Sequence, residues 1–129
     1  MLRIAHDLDY TILWSDVMPK PARICADSAP YLKECYIGKE KDIKMIITGR
    51  PESERPETED LLRSFGIDAK LIMNPIENFK MEHIATIKAQ YLYVNLISFY
   101  VEDNDFYRKV MSEYWDGKCI SSEEWMNYV

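Results

Sequence analysis

Five short runs of Ile, Val, Leu, Met and aromatic residues alternate along this chain with segments of helical character, and that alternation limits the possible folds more than any other feature. Strand, helix, strand in repeated succession is the pattern of a parallel sheet covered by helices, because parallel neighbours need a crossover and a helix supplies it. Strands are expected at Leu2 to Asp7, Ile43 to Thr48, Lys70 to Met73, Ile97 to Glu102 and Lys118 to Ile120. Helices are expected at about Ser28 to Tyr36, Pro56 to Phe65, Phe79 to Tyr91 and Asp105 to Tyr114, with a last turn from Ser122 to Tyr128. Gly66 suits a C-terminal stop for the second helix, and Ser121 or Ser122 with Glu124 or Glu123 suits an N-terminal cap for the last. Residues 14–26, with Pro19 and Pro21 and no clear period, read as an irregular flap beside the first strand, too short to be a separate lid domain.

A length of 129 residues accommodates one core, so residues 1–129 are read as a single domain. The composition, 47% hydrophobic and 29% charged, is that of a globular protein, and no apolar stretch is long enough to span a bilayer. No secretory signal is visible at the amino terminus, and a cytoplasmic location is expected. Cys25, Cys35 and Cys119 show no CxxC spacing, which points to free thiols rather than disulfides or a zinc site. The net charge of −6 disfavours broad attraction to nucleic acid or acidic membrane, without excluding a nucleic-acid end as substrate. With only His6 and His83 present, and no GxSxG run, a histidine-rich metal site is excluded and a serine triad is unsupported.

Ligands of open parallel sheets gather where strands deliver their carboxyl ends. The expected ends carry Asp7 and Asp9 from the first strand, Thr48 from the second, and Glu102, Asp103 and Asp105 from the fourth, with Lys80 at the start of the preceding helix. Two carboxylates one residue apart can share a divalent cation and divide nucleophilic from acid/base duty. Thr48 either ends a strand before a glycine turn or donates, with the Gly49 amide, to a phosphoryl oxygen. Arg50 is either a surface residue or a second anion contact. Lys80 and Lys88 both lie on the third helix; Lys80 occupies a helix start, where the dipole disfavours a cation, and is taken as the functional one. Asp103 or Asn104 could simply cap a helix, but capping does not account for two consecutive acids, whose repulsion a cation would relieve. The tyrosines of the second half are read as core residues.

In order, Asp7-x-Asp9-x-Thr11, Thr48, Lys80 and Glu102-Asp103 resemble the four-motif series of the haloacid dehalogenase superfamily, over nearly the whole chain. Within it, Thr48-Gly49-Arg50-Pro51, Thr58 to Leu62, Gly66-Ile67, Leu71 to Pro75 and Phe79-Lys80 are similar to the phosphatase domain of phage-type polynucleotide kinase-phosphatases and their capless relatives. The resemblance implies a three-layer α/β/α domain with a Rossmann-like parallel sheet, strand order 3-2-1-4-5, and little or no cap. It implies Asp7 as nucleophile, Asp9 as general acid/base, Thr48 and Lys80 as phosphoryl holders, and magnesium on Asp7, the Asp9 carbonyl and Asp103, with Glu102 supporting. Gly49 and Arg50 join the substrate contacts. Two departures stand out: a Glu-Asp pair replaces the commoner Asp-Asp, leaving the direct ligand open between Glu102 and Asp103, and Tyr10 replaces a frequent Gly. No GxxxxGK[ST] run is present.

The function expected is a magnesium-dependent phosphomonoester hydrolase working through an aspartyl-phosphate, on nucleotide or nucleic-acid 3′-phosphate ends. The alternatives are a phosphatase of small phosphorylated metabolites and a phospho-accepting or phosphate-binding module. No membrane association and no obligate protein partner are expected.

Overall fold

The fold is described from a computed structural model, which defines residues 2–17, 23–77 and 80–129. Strand β1 (Ile4–His6) is followed by a small hairpin of β2 (Leu13–Trp14) and β3 (Tyr31–Leu32). Next come β4 (Met45–Pro51), helix α1 (Arg55–Ser64), β5 (Lys70–Asn74), α2 (Met81–Val94), β6 (Phe99–Val101), α3 (Asp105–Met111), β7 (Lys118–Ile120) and α4 (Ser122–Trp125). Five strands form one parallel sheet in the order β5-β4-β1-β6-β7, which is the expected 3-2-1-4-5. The described residues form a three-layer α/β/α domain with no large inserted cap among them.

Alternation along the strands sorts side chains into two cores. Ile46 and Val101 face a core completed by Leu62 of α1, Trp125 of α4, and Leu8, Ile12, Leu13, Ile24 and Tyr36 from the segments around the hairpin. Ala5, Met45, Ile47 and Tyr100 point the other way, against Ala85, Ala89 and Leu92 of α2 and Met111 of α3. Each strand is therefore apolar on both faces, which explains why the strands read as continuous runs.

Local signals fix the element ends. Pro56 sits in the first turn of α1, where its missing N–H costs nothing, and Gly66 follows the helix at φ 75°, the left-handed position that ends it. Ser121 and Glu124 form a reciprocal capping box on α4, and Asn104 caps α3 by accepting from the Tyr107 N–H at 3.1 Å. The helix expected over Ser28 to Tyr36 does not form. Ala29 is left-handed at φ 49° before Pro30, which excludes a helical ladder there, and the segment instead carries two short 3-10 turns around β3. The flap expected over 14–26 begins in β2 and packs through Ile24; residues 18–22, with Pro19 and Pro21, lie outside the described residues, as does Phe79, the expected start of the third helix. Among the described residues, no helix is long and apolar enough to cross a membrane.

Candidate functional site

The three central strands deliver their carboxyl ends side by side. Asp7 follows β1, Glu102 follows β6, and Thr48-Gly49-Arg50 lie in the last part of β4, where the pairing with β5 slips register between Ile47 and Pro51. These ends floor a cavity of about 250 Å3 whose lining includes Asp7, Asp9, Thr48, Gly49, Arg50, Lys88 and Glu102. Gly49 is required by close packing, since a Cβ there would stand 2.5 Å from Ile84 Cγ2.

Asp7 is buried and held from two sides. Lys88 Nζ donates to its Oδ1 at 2.8 Å, and Thr11 Oγ1 to its Oδ2 at 3.2 Å. The same ammonium reaches Glu102 Oε1 at 3.2 Å, and the rings of Tyr107 and Tyr100 stand 4.5 Å and 5.5 Å from it. Burial opposes the Lys88 charge, but Asp7 and Glu102 outweigh it and hold its pKa well above the ordinary lysine value. Burial and the adjacent Asp7 carboxylate push Glu102 well above the usual carboxylate range, with Lys88 opposing.

The loop after β1 turns tightly, with the N–H groups of Thr11, Ile12 and Leu13 all donating to the Leu8 carbonyl. Tyr10 sits in it at φ 60°, a left-handed conformation that favours glycine, so the residue standing where the resemblance expects Gly adopts a glycine-like backbone. The turn brings Asp9 to Arg50. The buried guanidinium donates Nε to Asp9 Oδ2 at 2.9 Å and Nη2 to Oδ1 at 2.6 Å, while Ile24 N–H also donates to Oδ1 at 2.9 Å. Two further donors go to Thr58 Oγ1 at 3.2 Å and to the Ile24 carbonyl. Burial works against Arg50, and Asp9 more than restores its charge.

The geometry brings some of the expected residues together at the cavity and places others elsewhere. Lys80 is exposed at the N-cap of α2, and the lysine that reaches Asp7 is Lys88, two turns further on. That placement was legible: Lys88 interleaves with Ile84, Ala85, Ala89 and Leu92 at helical spacing and so belongs to the buried face. Arg50 lines the cavity and spends four of its five N–H donors on Asp9, Ile24 and Thr58. Asp103 does not line the cavity; its carboxylate accepts from the Ser122 N–H at 2.9 Å, the Ser122 hydroxyl and Lys33 Nζ at 3.0 Å. Glu102, given the supporting part, is the acid beside Asp7. Asp105 starts α3 and is exposed.

The sequence reading missed Tyr10, Arg23, Met81, Ile84, Asn104 and Tyr107 as cavity lining, and Thr11 as the hydroxyl shared by Asp7 and Glu102. Arg23 is ion-paired with Glu54 and brings a second guanidinium to the cavity. His6, next to Asp7, faces the opposite core: its Nδ1 lies 3.0 Å from the Tyr36 hydroxyl, its ring meets Trp125 edge-on, and burial pushes its pKa down to about 3.

Asp7 and Glu102 are hard oxygen donors of the kind magnesium takes, and the Lys88 ammonium bonds both. Among the described residues, no group of three or more His, Cys, Asp or Glu side chains is arranged to hold a metal. No protein-family model, no curated protein and no solved structure matches this chain.

Proposed function

We propose that this protein is a phosphomonoester hydrolase in which Asp7 is the nucleophile. The observation that carries the reading is the pairing of two differently held acids at one cavity: Asp7 is buried against Lys88 and Thr11, and Asp9 is clamped by Arg50. The ordered resemblance of the sequence supports the same assignment.

Each Asp7 oxygen accepts one of the hydrogen bonds described, which leaves a lone pair for in-line attack on phosphorus. As the Asp7 O–P bond forms, the bond from phosphorus to the ester oxygen breaks, and a water beside Asp9 protonates that oxygen, the hydroxide left behind being neutralised by the proton Asp9 gains in the second step. Asp9 then takes a proton from a water that attacks the aspartyl-phosphate, which regenerates Asp7 and releases phosphate. Thr48 and the Gly49 amide line the cavity as donors for the phosphoryl oxygens, and Lys88 supplies fixed positive charge beside the nucleophile. Asp7 and Glu102 are the side chains that would hold magnesium, with the Asp9 carbonyl as a third ligand. Bound there, the ion would screen the charge of nucleophile and phosphate as they meet.

The cavity lies below the usual range of about 300–1,000 Å3 for small-molecule sites, and Arg50 is committed to Asp9. Both observations favour a small phosphorylated metabolite over the nucleic-acid end that an open Arg50 would have served.

The test is a panel of phosphomonoesters assayed with magnesium and with excess chelator. Turnover should require magnesium, and Asp7→Asn should fold normally and lose it. Full activity in chelator, or an active Asp7→Asn, would remove the mechanism. One stable equivalent of acyl phosphate without turnover would identify a phospho-accepting module instead.

A further inference from the structure

We propose that Tyr10, Met81, Ile84 and Tyr107 form a leaving-group subsite for an aromatic ring, so that the preferred substrate is an aryl phosphomonoester, the phosphate ester of a phenol. The inference rests on the phosphohydrolase reading and specifies its substrate class.

The cavity lining is mixed, and Arg23, Arg50 and Asn104 also contribute to it. Asp7, Asp9, Thr48, Lys88 and Glu102 give it polar surface, while Tyr10, Met81, Ile84 and Tyr107 line the same space with apolar and aromatic surface. The aromatic wall begins close to the reacting atoms. Tyr107 stands 4.5 Å from the Lys88 ammonium, which itself is 2.8 Å from Asp7 Oδ1, and Tyr10 is three residues from the nucleophile. A ring joined directly to the ester oxygen therefore meets these side chains as soon as phosphorus meets Asp7. A sugar or other polyol leaving group would instead set hydroxyls against Met81 and Ile84 and lose hydration without replacement.

Tyr10 carries two further signs. Its backbone is left-handed at φ 60°, a cost that a bulky residue sustains where its side chain has a use. Its ring is braced edge-on by Trp14 at 5.7 Å. A phenol, unlike an aliphatic alcohol, offers a face for that ring.

The experiment separates binding from turnover. Phenylphosphonate and methylphosphonate, which cannot be hydrolysed, are titrated into the full chain by calorimetry with magnesium present, and phenyl phosphate and glycerol 2-phosphate are assayed alongside. Phenylphosphonate should bind at least tenfold more tightly than methylphosphonate. Tyr10→Gly, which removes the ring while easing the backbone, should erase most of that advantage, and Tyr10→Phe should keep it. In turnover, Tyr10→Gly should lower kcat/KM for phenyl phosphate about tenfold more than for glycerol 2-phosphate; the intrinsic reactivity of each ester cancels in that comparison. Tyr107→Leu provides a second variant on a different element. Equal binding of the two phosphonates overturns the subsite, and turnover of the esters in that case leaves the hydrolase standing. A clear phenylphosphonate preference with no turnover of any ester keeps the subsite and removes the hydrolase.

Discussion

Replacing Lys88 with Met should destabilise the protein more than any other single change at the cavity. The ammonium is buried and bonds both Asp7 and Glu102, at 2.8 and 3.2 Å. Methionine fills similar space but leaves two carboxylates facing each other without the charge between them. Breaking a buried ion pair by removing one partner costs about 3–5 kcal/mol, and here one removal breaks two. With a urea m of about 1.5–2 kcal/mol/M, the unfolding midpoint should fall by roughly 2–3 M. Trp14, Trp115 and Trp125 provide the fluorescence signal. The loss should shrink at pH 5, because Glu102, already pushed up by burial and Asp7, takes a proton more readily once Lys88 no longer opposes it. Lys80→Ala, at the exposed helix start, should stay within about 0.5 kcal/mol of wild type. A Lys88→Met protein within 1 kcal/mol of wild type at pH 7 and with normal turnover would refute the assignment of the buried lysine.

Arg50→Lys keeps the charge but cannot grip both Asp9 oxygens in parallel, and kcat for an alkyl phosphate should fall about 10²-fold with little change in KM; a change confined to KM would return Arg50 to substrate binding. Glu102→Gln should weaken magnesium binding measured by calorimetry, whereas Asp103→Asn should leave it intact and cost about 1 kcal/mol of stability through the lost Ser122 and Lys33 bonds; the opposite ranking would make Asp103 the ligand. His6 should give the protein an acid-sensitive slope. Its folded pKa of about 3 lies below the unfolded value near 6.5, so the unfolded chain binds the proton first, and stability falls as pH drops from about 6.5 towards 3. About 2 kcal/mol should be gone by pH 5, and His6→Phe should flatten that part of the profile; an unchanged slope would show that other groups set it.

The sheet was legible because each strand is apolar on both faces and each crossover helix has its own end signals: Pro56 and Gly66 for α1, Ser121 and Glu124 for α4. The hairpin was not, since two strands of two residues each carry too little alternation to outweigh the apparent helical character of 28–36. At the cavity, the identities of Asp7, Asp9 and Thr48 followed from strand ends alone. Their partners did not. Lys88 was hidden by the rule that helical lysines are solvated, although its spacing with Ile84 and Leu92 contradicted that rule. Arg50 and Asp103 had long-range partners, Asp9 and Ser122, that no local pattern discloses. The aromatic wall required Tyr10 and Tyr107, 97 positions apart in sequence, to meet across one cavity.

The left-handed backbone of Tyr10 sets stability against selectivity. Glycine, and to a lesser degree Asn or Asp, relieves a cost of order 1 kcal/mol at such a position. A library randomised at residue 10 and selected only for thermal resistance should therefore drift to those three residues. The same library selected for growth on an aryl phosphate should return aromatic side chains, and the two winning populations should not overlap. Position 10 would then be the natural first site to vary in redirecting this chain to a different alcohol, because a smaller residue there improves the scaffold while it clears the space.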